Sequence, residues 1–126
     1  MLNQRGIVLR RLGRTQEAIQ SFSRALAVRP DYAAALNNRA TALQDLHRFE
    51  EAVADCDKAL AANRNNVQAW NNRGLALLKL DKPQDAVASF QAGLAIRPDH
   101  AEMLANCGVA LRELNQQPEA ISYFKR

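Results

Sequence analysis

The chain is poor in the residues that most often carry chemistry. It has 2 cysteines in 126 residues, Cys56 and Cys107, far apart and with no CxxC and no histidine at ligand spacing. That pattern excludes a disulfide framework and a zinc site, and leaves both thiols as small buried apolar groups. Glycines number 5 and occur singly, so no phosphate-cradling loop is present. Aromatics make up 6%, too few for the alternating strands of a sheet sandwich. No apolar run approaches the roughly 18 residues of a membrane span, and no secretory leader opens the sequence. A cytoplasmic location is the expectation, although Met1 stands inside a repeat, as a chain cut from a longer one would. Lys plus Arg exceeds Asp plus Glu by 17 to 13, giving a net charge of +4 with the signs interspersed. No basic block with interleaved aromatics appears, so a nucleic-acid footprint is not expected.

What the chain does have is Ala, Leu and a period. Asn37-Asn38-Arg39-Ala40 returns as Asn71-Asn72-Arg73-Gly74, and in altered form as Asn106-Cys107-Gly108, each step being 34 residues. Paired Asn disfavours a helix interior, because the short amide competes for backbone hydrogen bonds. The same shift aligns Ala18, Ala52, Ala86 and Ala120, and aligns Gly6, Ala40, Gly74 and Gly108. It also aligns Phe22, Cys56, Phe90 and Phe124, then Leu9, Leu43, Leu77 and Leu111, and then Leu12, Leu46, Leu80 and Leu114, without a gap.

Each unit holds two helical patterns. Leu36, Ala40, Leu43 and Leu46 share one helix face, and Ala52, Val53, Cys56, Ala59 and Leu60 share another. Breaks are expected at Gly13-Arg14-Thr15, His47-Arg48, Asp81-Lys82-Pro83 and near Pro118. Thr15 is the expected N-cap of the first unit's second helix, and Asp99 with Glu102 the expected capping box before the fourth unit. The Gly/Ala column lets two helices approach closely, and the Phe column supplies bulk. One helix pair cannot bury its own apolar face, so the pairs must stack into an all-α solenoid.

These columns resemble the tetratricopeptide repeat, a helix-turn-helix unit of 34 residues. Trp70, Gly74, Leu77, Ala86, Phe90, Gly93 and Pro98 stand at its signature places. The resemblance implies one array over 1–126: a first repeat over 1–32 lacking two residues, complete repeats over 33–66 and 67–100, and a fourth over 101–126 cut within its second helix. It also implies a right-handed superhelix whose first helices line a concave groove. The Asn-Asn-Arg-Gly/Ala wording is similar to repeats of bacterial proteins related to O-linked N-acetylglucosamine transferase.

By that resemblance the groove holds Gln4, Asn38, Asn72 and Asn106, flanked by Asn37, Asn71, Thr41, Gln44, Asp45, Lys79, Glu102, Arg112 and Glu113. An amide donates and accepts at once, so a ladder of them can grip the peptide groups of an extended segment. The competing reading is that these Asn tie adjacent repeats together or face water. The carboxylate clamp of chaperone-binding arrays, built from Lys and Arg, finds mostly Asn, Gln, Ile, Thr and Glu at the corresponding places. The expectation is therefore a protein-interaction module for an extended peptide or partner protein, not an enzyme, with no cofactor, metal, nucleic acid or membrane. Two alternatives stand beside it. One is the substrate-recognition region of a larger glycosyltransferase. The other is a scaffold self-associating through uncapped terminal helices, with Ile121 and Phe124 on the open face.

Three features stay outside the groove. His47 and His100 are expected as solvated turn residues, and Trp70 as core. Asp55 and Asp57, two apart on one helix, cannot share a metal ion. Arg5, Arg39 and Arg73 occupy a column where the family usually has Leu, so each must carry its head to water or to an acid. Glu17, Glu51 and Asp85 repeat at the same period and stand as the candidate acids.

Overall fold

A computed structural model describes residues 1–115. Among them are seven helices: α1 (Leu2–Arg11), α2 (Thr15–Val28), α3 (Ala33–Asp45), α4 (Phe49–Ala62), α5 (Val67–Lys79), α6 (Pro83–Ile96) and α7 (Ala101–Asn115). Pro118, Ala120, Ile121, Ser122 and Phe124, and with them the expected open apolar face, lie outside the described residues.

Every helix packs on the next in sequence. The odd-numbered helices also touch one another in series, α1 on α3, α3 on α5 and α5 on α7, whereas α2, α4 and α6 do not meet. A row of rods that touches along one edge and splays along the other is curved. The odd helices therefore form the inner, concave edge of an α-solenoid and the even helices the outer one.

The three turns within the helix pairs are built alike. Gly13, His47 and Asp81 adopt positive φ, at 79°, 60° and 59°. The next residue's N–H then reaches back to a carbonyl in the last helical turn: Arg14 to Leu9, Arg48 to Leu43 and Lys82 to Leu77, at 2.9, 2.8 and 2.9 Å. This is a Schellman stop, which closes orphan carbonyls with one left-handed residue. Only the first unit gives that place to glycine.

The start signals differ from the sequence expectation. Arg14, not Thr15, is the N-cap of α2, and no side chain caps it. Before α7 it is His100, half-buried, whose Nδ1 accepts the Met103 N–H at 3.1 Å. His100 is thus a helix cap rather than a solvated histidine, because its ring reaches the third N–H of the helix.

Helix separation within a pair is set by matched columns. A Cβ on Gly6 or Gly74 would overlap the Phe22 or Phe90 ring, and both phenylalanines are fully buried. In the second unit Ala40 meets a smaller partner, and Ala40, Cys56 and Ala52 form one core cluster. The same exchange recurs between units: Ala25 with Ala35 and Ala59 with Ala69 pack in one cluster, while Gly93 makes room for Met103. A large side chain on one helix is met by a glycine on the other, which lets the contact close without a clash. Trp70 is half-buried at the edge of this core, and its Nε1 donates to the Arg64 carbonyl at 2.8 Å. Burial pushes the Cys56 thiol up to about 12, so it is an inert packing group.

Asp81→Gly should raise stability by roughly 0.5–1 kcal/mol, since a side chain at positive φ is strained and the exposed carboxylate makes no hydrogen bond or ion pair among the described residues. Urea unfolding with an unchanged m-value reads this out, and an equal or lower midpoint would contradict it.

Candidate functional site

The concave edge is joined by a staircase of amides. Asn38 Nδ2 on α3 donates back to Asn3 Oδ1 on α1 at 2.9 Å, and Asn106 Nδ2 on α7 donates back to Asn71 Oδ1 on α5 at 3.1 Å. The middle step is different. Asn72 Nδ2 makes two long bonds, 3.4 Å to the Asn37 carbonyl and 3.3 Å to Thr41 Oγ1. The cause is Asn66, whose Oδ1 caps α5 by accepting the Ala69 N–H at 3.1 Å. Asn37 turns its Nδ2 to that same oxygen at 3.1 Å, so its own Oδ1 is not offered to Asn72. Asn37 Oδ1 is left buried and without a partner among the described residues. Further along, Gln44 Nε2 donates forward to the Asn72 carbonyl at 3.0 Å, and Arg10 forms a bidentate pair with Asp45 at 2.6 and 3.2 Å.

These bonds fix which way the groove faces. On α3, Asn38 points back to α1 and Gln44 points forward to α5. The arc between them holds Ala34, Thr41 and Asp45, which therefore form the floor of the groove. The repeat period places Gln68, Leu75 and Lys79 there on α5, Glu102, Val109 and Glu113 on α7, and Ile7 and Arg11 on α1.

Each residue expected at the groove has a definite place. Asn37, Asn71 and Asn72 are buried between helices, while Asn38, Asn106 and Thr41 are half-buried. Gln4, Lys79 and Arg112 are exposed, and Lys79 and Arg112 make no hydrogen bond or ion pair among the described residues. The staircase thus brings Asn38, Asn72 and Asn106 together with Asn37, Asn71 and Thr41, and leaves Gln4 outside it. Sequence reading passed over Asn3, Ile7, Leu75 and Val109. The signal that finds the last three is the one already in use: each lies a whole number of 34-residue steps from Thr41.

Comparison with known families matches one described as Tetratricopeptide repeat, over residues 3–67, 37–99 and 71–126. The chain belongs to the tetratricopeptide repeat family. A search of the curated proteins finds no match. Among solved structures, the first tetratricopeptide domain of Spaghetti (RPAP3), bound to the HSP90 peptide SRMEEVD, is similar. Its TM-score is 0.89 at 27% identity, over 91% of each chain. The second such domain of human RPAP3, in complex with the HSP70 peptide SGPTIEEVD, gives 0.83 at 26% identity, over 86% of this chain and 91% of that one. The Arabidopsis OM64 domain also gives 0.83, at 25% identity, over 86% of this chain and 90% of that one.

On the convex side the arginine column departs from the tetratricopeptide pattern, and the structure explains two of its members. Arg39 lies between α2 and α4. Its Nε and Nη2 meet Asp55 at 2.8 and 2.6 Å, and its Nη1 donates to Ser23 Oγ at 3.2 Å. Arg73 lies between α4 and α6, with Nε on Asp57 at 2.8 Å and Nη1 on Ser89 Oγ at 2.7 Å. Each arginine thus ties the outer helix of its own repeat to that of the preceding repeat, 16 residues away in either direction. Each receives one aspartate and one serine, in opposite order. The acids are not Glu17, Glu51 or Asp85. Glu17 and Glu51 pair instead with Arg14 and Arg48, the N-cap residues three places before them, and Arg73 takes Asp57 in place of Asp85. Asp55 and Asp57 lie on opposite sides of α4, one toward α3 and one toward α5, which is why they share no ligand. Donating to Asp55 raises the Arg39 pKa above its ordinary value, against the lowering that burial exerts.

Asp57→Ser should lower stability by about 1 kcal/mol, because Arg73 keeps hydroxyl partners but loses its carboxylate, and the site is partly open to water. Adding Ser89→Asp recreates the order found around Arg39 and should recover most of that loss. A double-mutant cycle by chemical denaturation measures it, and purely additive losses would contradict the swap.

Proposed function

We propose that this tetratricopeptide array is a protein-interaction module that holds an extended peptide or partner protein in its concave groove through the amide ladder. The observation that carries this reading is how the ladder is spent. Asn38, Asn72 and Asn106 each commit a side-chain N–H to the preceding repeat, while among the described residues no donor reaches their Oδ1 atoms. A row of oriented acceptors at repeat spacing suits the N–H groups of an extended main chain, whatever its side chains. The staircase also holds the amides in place before any ligand arrives, which lowers the ordering cost of binding. The RPAP3 domains with bound HSP90 and HSP70 peptides support peptide binding as the general use of the fold. The recognition proposed here is by amides, since the cations of a carboxylate clamp are not expected at the matching places.

The test separates groove use from scaffolding. Asn38→Ala with Asn106→Ala should weaken a peptide selected from a random library by tenfold or more, two hydrogen bonds of about 1 kcal/mol each. Asn3→Ala breaks the same inter-repeat bond as Asn38→Ala but keeps the Asn38 amide, so it should cost stability and spare affinity. Isothermal titration with melting curves reads both. Equal affinities for parent and double variant would sink the ladder.

A second reading, assembly through the open side of α1, is favoured by one observation. Met1, Val8 and Leu12 are 101%, 53% and 65% exposed there, whereas Ala35 and Ala42, one period on from Met1 and Val8, are fully buried. Light scattering across a concentration series should then show a dimer that Val8→Gln with Leu12→Gln abolishes, and a monomer at all concentrations would refute it.

A further inference from the structure

The first arginine of the column, Arg5, has no partner. It is exposed and makes no hydrogen bond or ion pair among the described residues, whereas Arg39 and Arg73 are half-buried in their braces. Its own repeat offers Ser21, 16 residues on, at the place of Asp55 and Ser89. Ser21 is 6% exposed, and its hydroxyl is likewise without a hydrogen bond among the described residues. Both line a cavity of about 100 Å³ on the convex side, with Leu9, Glu17, Gln20 and Arg24. Arg24 is exposed and unpaired among the described residues, and Glu17 is held by Arg14. The socket is therefore lined by two guanidinium groups without a carboxylate of their own.

The two finished braces show what is missing. Each arginine takes one aspartate and one serine, and the place of the serine decides where the aspartate comes from. Arg39 has its own repeat's Asp55 and the preceding repeat's Ser23. Arg73 has its own repeat's Ser89 and the preceding repeat's Asp57. Arg5 has a serine in its own repeat, as Arg73 has, so the aspartate falls to a helix packed on the other side of α1. The bare side of α1 has room for that helix. Val8 stands one and two periods before Ala42 and Ala76, which are fully buried against the preceding helix pair, yet Val8 is 53% exposed. Leu12 is 65% exposed. A second copy paired through the same side covers these apolar side chains but brings no carboxylate to Arg5, because α1 contains no acid.

We infer that the open side of α1 is a docking site for one amphipathic helix of a partner protein, and that an aspartate on this helix completes the Arg5 brace. The helix lies on α1 as α4 lies on α5. Its apolar residues cover Val8 and Leu12, and its carboxylate takes the place by Arg5 that Asp57 holds by Arg73. Apolar burial supplies affinity, and the carboxylate sets specificity. A docked helix without it would strip water from Arg5 and leave a cation unpaired. The contact is partly open to water, so the aspartate's contribution weakens with salt while the apolar part persists. The site lies across the end of the helix row, away from the groove. It goes beyond the dimer described above, which uses apolar side chains alone.

The probe is a copy of α4, since its packing on α5 is the interface to be reproduced. A 14-residue helix is marginal alone, so the peptide carries the sequence of Phe49–Ala62 with Cys56→Ser and a hydrocarbon staple on its exposed face. Fluorescence anisotropy against the whole protein should show saturable binding. Asp57→Asn in the peptide should weaken it by roughly fivefold or more, the effect of a partly exposed charge pair. Asp55→Asn in the peptide should leave it unchanged, since Asp55 lies on the opposite side of the helix. Arg5→Gln in the protein should cost the same factor as Asp57→Asn in the peptide, and the two together no more than either. Val8→Gln with Leu12→Gln should abolish binding of every peptide. All three protein positions are exposed, and melting curves confirm that the variants fold. Absence of binding, equal binding of the parent and Asp57→Asn peptides, or a preference for aspartate that survives Arg5→Gln overturns the inference. None of these outcomes touches the amide ladder, whose variants lie on the concave edge.

Discussion

The separation between the two helices of a pair is set by a glycine Cα against a phenylalanine ring. Gly6 with Phe22 and Gly74 with Phe90 bring the helices so close that a single added methyl would collide with the ring. In the second repeat the same two places hold Ala40 and Cys56, which pack in one cluster. All later geometry depends on this distance. On these pairs the inner helices meet in series and the outer ones splay, and the curvature that makes a groove follows. Fully burying a phenylalanine is worth roughly 1.5–3 kcal/mol. That gain is available only while the opposite position stays small.

Splaying the outer helices leaves a gap that apolar side chains do not fill, and the arginines occupy it. Arg39 and Arg73 extend from the inner helices and fasten two outer helices each. A leucine at that place would pack against one neighbour, whereas a guanidinium with its planar fork can bond to both. Asp55 is almost fully buried with Arg39 upon it, so loss of either partner strands a charge. The apparent mismatch to the family is therefore an inter-repeat brace on the convex side, remote from the groove.

The asparagines work on the opposite edge, where the N–H end of each amide is bound to the preceding repeat. This explains a helix-disfavoured residue in the middle of α3, α5 and α7. The competition with backbone hydrogen bonds that makes Asn a poor helix former is offset once its N–H has a partner on the preceding repeat. The weakest step, at Asn72, traces to a single cap: Asn66 draws Asn37 away from it.

Among the described residues, the 34-residue period, the helix pairs, their breaks and the small and large packing columns were legible in the sequence. They are local or strictly repeated, and apolar periodicity on a helix reports directly on burial. The groove floor was partly legible: Thr41, Asp45, Lys79, Glu102 and Glu113 stood among the expected positions, while Leu75 and Val109 stand at the places of Thr41 and escaped notice because they are apolar. Only the tertiary structure decided the hydrogen-bond partners. Asp55 and Asp57 looked like an unusable pair two residues apart, yet each serves a different arginine across a different interface. The separation of 16 residues between arginine and acid matches neither the 3.6-residue turn of a helix nor the repeat period. It is set by how two helices of given length lie against each other. Side-chain direction after stacking therefore chose the acids, and no pattern along the chain contained it.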